Sequence, residues 1–171
     1  YDVLDREILG LAADNTNVKA QELSFGSARM AADAFAASLA TLAQAASGKE
    51  APQVDIACLT ARVSVREIQA LQAPHIAETE DAKMTAIERD MKEREANAER
   101  ALQDLAKLVG DAPSLAQAQA EFARFKVIHQ QIIELSRRNT NVRSVAMSLG
   151  QKRTMIAACG ETLQALIEAI A

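Results

Sequence analysis

Aromatic side chains are nearly missing from this sequence. Its 171 residues include no Trp, one Tyr and four Phe. Proline and glycine are also scarce, at three and six residues, so little in the chain interrupts a helix. Two cysteines, Cys58 and Cys159, are too few to imply a disulfide framework or to fix a compartment. No run approaches the roughly 18 to 20 apolar residues that cross a bilayer. No signal-peptide pattern opens the chain, and the start on Tyr1 rather than Met points to a fragment. The net charge is −4, and no basic stripe with interleaved aromatics occurs, which argues against a nucleic-acid partner. HExxH, CxxC and glycine-rich phosphate loops are absent, so no catalytic residue, metal centre or cofactor is expected. His75 and His129 stand far from each other and from the cysteines in sequence, and read as tolerated polar residues of a helical core.

What the chain does have is a phrase said twice. Asn15, Thr16, Asn17 and Val18 recur as Asn139, Thr140, Asn141 and Val142, at an offset of 124. Ile8 and Ile132, Leu11 and Leu135, Ser24 and Ser148, Gly26 and Gly150, Arg29 and Arg153, and Leu39 and Leu163 keep the same register. Identity held over about thirty positions reads as a duplication. The repeated unit is an apolar helix end, a polar step and a long amphipathic helix. Side-chain oxygens of the Asn and Thr residues can cap the new helix by accepting from its free N–H groups.

Periodicity predicts helices nearly throughout. A helix end over 1–13 leads into a second helix from Thr16 to Ala46, with the stripe Val18, Phe25, Ala28, Ala32, Phe35, Leu39 and Leu42. Residues 14–17 read equally as a turn or as a polar stretch of one helix. Gly48 and Pro52 mark the clearest break. Helices then run from Val54 to Ala77, with Pro74 kinking or ending the first, from Met84 to Val109, and from Ser114 to Arg138. The last is the cleanest, with Val142, Val145, Leu149, Ile156, Cys159, Leu163, Leu166 and Ile170 on one seam broken only by Lys152. Short connections imply antiparallel neighbours. The expected fold is all-α, an elongated antiparallel up-down-up-down four-helix bundle over 54–171. Residues 1–47 form an additional helical segment repeating the last helix, either part of a preceding bundle or an extra helix of the same one. If Pro74 and Asn139 do not mark turns, the alternative is a longer three-helix rod. Cys58 and Cys159 fall at matching heights on neighbouring stripes of the bundle, which brings them close, within possible disulfide reach.

Two basic clusters are candidate binding groups. Arg62 and Arg66 are four apart and share a helix face. Arg137, Arg138 and Arg143 surround Asn139, Thr140 and Asn141 at one end of the bundle. Guanidinium forks with neutral donors suit a carboxylate. The plain alternative is a solvated face, with the arginines paired to Glu67 and Glu134.

Residues 60–69 (TARVSVREIQ) resemble the first helix of the four-helix sensing domains of bacterial methyl-accepting chemotaxis receptors. Residues 84–91 (MTAIERDM) are similar to their second helix, and Phe122 to Leu135 followed by SRRNTNVRS to their third-to-fourth helix passage. The resemblance covers residues 55–171 and rests on order and spacing. It implies a periplasmic, extracytoplasmic sensor, a homodimer, and attachment to the inner membrane through flanking transmembrane helices outside this chain. It also implies a small-molecule ligand at the membrane-distal end and a cytoplasmic signalling region. In aspartate-type receptors, first-helix arginines grip the ligand across the dimer interface, and Arg62 and Arg66 match two of them. Thr140 lies in the region comparable to the fourth-helix start, and the third arginine has no counterpart among Ile56 to Thr60. The extra copy in 1–47 departs from a single bundle and leaves open a two-storey sensor, as in helical bimodular domains. The alternatives to a chemoreceptor sensor are the sensor domain of a histidine kinase and a structural helical spacer or assembly domain that binds no ligand.

Overall fold

The computed structural model describes residues 2–170, and all secondary structure among them is helical. In order, the helices are α1 (Asp2–Asp14), α2 (Thr16–Leu23), α3 (Arg29–Ala45), α4 (Ala51–Ala77), α5 (Asp81–Val109), α6 (Pro113–Arg138), α7 (Thr140–Met147) and α8 (Arg153–Ile170). A π-turn over Ser24–Ala28 joins α2 to α3, and a second over Ser148–Lys152 joins α7 to α8. Each boundary has a local cause. Gly110 takes positive φ (60°), which a side chain would oppose, and ends α5, whereas α3 ends where Ala46 turns extended, and Gly48 (φ 78°) bends the chain two residues later. Pro52 and Pro113 sit in the first turns of α4 and α6, where a missing N–H costs nothing. Pro74 does not stop α4, which continues to Ala77. Glu78 then turns the chain, accepting from Thr79 N–H and Glu80 N–H at 2.7 and 3.0 Å.

The chain divides into two compact units. One holds residues 18–137, the other the described residues up to 17 and from 138 onward. This differs from the expected division between 47 and 54. In the first unit one core joins Ala20, Phe35, Leu39 and Leu42 to Val54, Val65 and Ile68 of α4, Met91 and Leu105 of α5, and Phe122, Phe125 and Ile132 of α6. Phe35 and Phe122 meet with ring centroids 5.5 Å apart. The helix packed with α4, α5 and α6 in this unit is therefore α2–α3. The expected arrangement gave that place to α7–α8, which contribute no residue to this core among the described residues. α8 buries none of its residues despite the clean seam. Sequence periodicity detects an apolar face but not whether a partner covers it. The cysteines fall in different units. Cys58 is buried in the core of one unit, Cys159 is exposed on α8 in the other, and both are free thiols. Burial pushes the Cys58 thiol up to about 11, with the nearby Asp55 charge acting in the same direction.

The predicted stripe of the first long helix holds from Ala28 onward and fails before it. Val18 and Phe25 are exposed, Phe25 by 68 %, whereas Ala20 and Ser24 are buried. A π-turn inserts one extra residue into the helical repeat. Counting back from Phe35, the buried face moves from 25, 21 and 18 to 24, 20 and 17. Asn17, Ser24 and Ala20 occupy those places. The same slip recurs 124 residues later, where Leu149 is 68 % exposed and Ser144 is buried. The two aromatics of the predicted stripe should consequently behave oppositely in urea unfolding. Phe35→Ala should cost about 3 to 5 kcal/mol, and Phe25→Ala should stay within about 0.5 kcal/mol of the parent. Equal losses at the two positions would restore an unbroken 3-and-4 stripe.

Candidate functional site

The repeated Asn-Thr-Asn phrases meet. Asn15 and Asn139 both adopt left-handed backbone (φ 53° and 50°), a conformation Asn tolerates better than most residues. Each break leaves the first N–H groups of a new helix, α2 or α7, without intrahelical acceptors. The other copy supplies the acceptors. Thr16 N–H donates to Thr140 Oγ1 at 3.0 Å, and Thr140 N–H donates to Thr16 Oγ1 at 3.1 Å. Asn17 N–H donates to Asn141 Oδ1 at 3.1 Å, and Asn141 N–H to Asn17 Oδ1 at 3.3 Å. The amide groups complete the exchange, with Asn17 Nδ2 donating to Asn139 Oδ1 and Asn141 Nδ2 to Asn15 Oδ1. The two hydroxyls lie 3.2 Å apart and share a further bond. Capping was expected from the sequence, but within each copy; the structure exchanges it between copies.

Around this node α1 runs antiparallel to α7. Arg138 pairs with Asp14, Ser144 Oγ donates to the Ile8 carbonyl at 3.1 Å, and Lys152 Nζ meets Asp5 Oδ1 at 2.9 Å. Asn139 and Thr140 are buried, Asn141 is half-buried and Arg143 is exposed. The sequence candidates Asn139, Thr140 and Asn141 thus spend their polar groups on Asn15, Thr16 and Asn17.

Arg62 and Arg66 belong to the other unit, on the outer face of α4. Both are exposed and line an open groove with Ala36, Leu59, Val63 and Glu67. Arg66 donates to Asp33 Oδ1 on α3 at 2.5 Å and to Gln69 Oε1 at 2.8 Å. Glu67 is held by Arg94 at 3.1 Å instead. Arg137 is engaged by α5. It donates to Glu88 Oε1 at 2.6 Å and Thr85 Oγ1 at 2.7 Å, and pairs with Asp81.

Sequence reasoning missed a buried polar layer in the unit of residues 18–137. Ser24 Oγ donates to Gln72 Oε1 at 2.7 Å, and Gln72 Nε2 lies 3.2 Å from His129 Nδ1. His75 bridges Ser136 Oγ and Glu88 Oε1, each at 2.9 Å. These residues are separated by 48 to 61 positions across α4, α6 and the π-turn, with His75 and Glu88 joining α4 to α5. A signal existed, because Gln72 and His75 continue the 3-and-4 spacing of Val65 and Ile68, and Ser136 continues that of Phe125, Ile128 and Ile132. Polar groups on an apolar stripe need partners from other helices. Burial pushes His129 down to about 4, with the His75 charge adding to the effect. Burial also lowers His75 against the opposing pull of Glu88, while the Arg137 guanidinium holds the Glu88 carboxyl below its usual range.

Among the described residues no group of three His, Cys, Asp or Glu is placed to hold a metal ion, and no helix is long and apolar enough to cross a membrane. No family model, curated protein or solved structure matches the chain.

Both histidines bind fewer protons folded than unfolded, so stability should rise with pH up to their ordinary value near 6.5 and fall as pH drops below it. Between pH 7 and 5 the His129 contribution is about 2 kcal/mol. Urea midpoints at the two pH values should show this loss, and His129→Gln should shrink it. At the node, Thr16→Val and Thr140→Val should each cost about 1 to 3 kcal/mol by stranding a buried N–H. The double variant should fall short of the sum only by the one hydroxyl–hydroxyl bond that either substitution alone already removes. Single variants as stable as the parent would mean that the caps are not exchanged.

Proposed function

We propose that the chain is an extracytoplasmic sensory domain of a transmembrane chemoreceptor, binding a small ligand and signalling by helix displacement. The observation that supports this reading best is the node of exchanged caps. α1 and α6 end at the repeat-equivalent Asn15 and Asn139, and α2 and α7 begin just after them. A shift of α2 or of α7 has to be met by the other, because each caps the first N–H groups of the other. Binding then acts through differential affinity for two helix arrangements, without covalent chemistry or a cofactor.

In this reading α2–α3, α4, α5 and α6 are an antiparallel up-down-up-down bundle. Arg62 and Arg66 on α4 offer the ligand surface, and a small carboxylate is the class their guanidinium groups favour. The exposed seam of α8 (Ile156, Leu163, Leu166 and Ile170) is the contact for a second copy, giving a homodimer. Transmembrane helices outside this chain would anchor the protein in the inner membrane, with these residues on the periplasmic side. A second reading is favoured by the duplication itself. A period of 124 residues that reproduces the left-handed Asn, the short helix and the π-turn suits a tandem helical spacer without a ligand. The sensor domain of a histidine kinase would use the same parts with a different output.

Calorimetry against a panel of small carboxylates separates these readings. A ligand should bind the parent protein and lose affinity about tenfold or more in Arg66→Ala, with helicity unchanged by circular dichroism. Binding unaffected in both Arg62→Ala and Arg66→Ala removes the arginine surface. No ligand from any panel, together with an unaltered melting temperature, favours the spacer.

A further inference from the structure

A cleft of about 140 Å³ opens between α5 and α6, away from the arginine face. Met91 and Ile133 give it an apolar floor, and Glu88, Lys92 and Glu95 stand at its rim. His129 lines it while being only 7 % exposed. A polar group this deeply placed normally has its hydrogen bonds satisfied. Within the protein His129 uses one ring nitrogen, Nδ1. Gln72 Nε2 can only donate, so His129 Nδ1 accepts from it, and the ring proton resides on Nε2. Stacking on Phe125 at 5.9 Å, with the rings 5° from parallel, fixes the ring plane. Nε2–H donates to no protein group among the described residues and is not sealed from solvent, so it is open to the cleft.

The charges at the rim are unequally engaged. Glu88 is held by Arg137 and His75, and Glu95 by Lys126 at 3.4 Å. Lys92 is exposed and makes no ion pair among the described residues. A donor at the bottom and an unpaired ammonium at the mouth define a site for an acceptor of negative charge. We propose that this cleft binds a small carboxylate, with one oxygen accepting from His129 Nε2–H and the charge met by Lys92. The site is independent of the arginine surface and holds whether or not that surface binds anything. It also has a built-in reporter. An acceptor on Nε2–H locks the tautomer that Gln72 requires, and Gln72 in turn holds Ser24 in the π-turn between α2 and α3. Occupancy of the cleft is therefore transmitted to the first helix of the unit along three side chains.

Acetate is the probe, and nitrogen-edited imidazole spectra of the full chain are the readout. Before acetate is added, His129 should be the neutral Nε2–H form. Acetate should shift its Nε2 and Cε1–H resonances saturably and leave those of His75 in place, and ethylammonium should have no such effect. Lys92→Ala should weaken the acetate response about tenfold without altering the melt. The backbone amides of Ser24 to Ala28 should move with acetate in the parent and stay still in Ser24→Ala, in which His129 still responds. An Nδ1–H tautomer, or a response to ethylammonium equal to that to acetate, overturns the site. So does the absence of a saturable shift at every acetate concentration at which the fold is retained. The Arg62→Ala, Arg66→Ala double variant separates the two sites. A His129 response that survives there stands apart from the arginine surface, and one that vanishes assigns the binding to the arginines and overturns the cleft.

Discussion

Helix ends carry unpaired backbone donors, and the arrangement here turns on how two of them are paired. Asn15 and Asn139 break their helices at equivalent points of the duplication. Neither copy caps itself. Thr16 and Asn17 cap α7, and Thr140 and Asn141 cap α2. A break that would be a weak point in either helix alone becomes a fixed crossing when the two occur together. The left-handed backbone at the asparagines ends one helix and lets the next begin at the following Thr. Removing either phrase would leave the opposite helix start without acceptors in a buried place.

The helices themselves were legible. Gly48, Gly110, Pro52 and Pro113 placed the breaks within a few residues, and the apolar spacing of Phe35, Leu39 and Leu42 gave the right face. The duplication was legible too, down to the equivalence of Gly26 and Gly150. Its local consequence was not. A π-turn has no strong residue signature, so Val18 and Phe25 read as core by spacing although the extra residue rotates them outward. The companionship of α8 was also beyond a periodicity reading. An apolar seam states that a partner is suited to it, and none of the described residues of α8 is buried.

The candidate sites divide along the same line. Arg62 and Arg66 could be placed together because four residues on one helix share a face regardless of tertiary structure. Gln72, His129 and Ser24 could not, because their meeting depends on which of three helices face one another. Thr140 was singled out as a ligand donor by its likeness to a fourth-helix start, and in the structure its hydroxyl meets Thr16. The resemblance to chemoreceptor sensors placed the arginines on a first helix. In the unit of residues 18–137 they lie on the second, since α2–α3 precedes α4 in its core.

Asp14 and Arg138 occupy the same position of the repeat and face each other across the node. In an exchange between equivalent segments, such a position meets its own counterpart. Had both copies kept one residue there, like charges would confront each other at the crossing. Divergence to opposite signs makes the crossing a lock with two different halves. The first copy of one molecule meeting the first copy of another would set Asp14 against Asp14, and two second copies would set Arg138 against Arg138. The charge therefore gives each phrase a parity, and directs it to its own sequel rather than to its twin on a neighbouring chain.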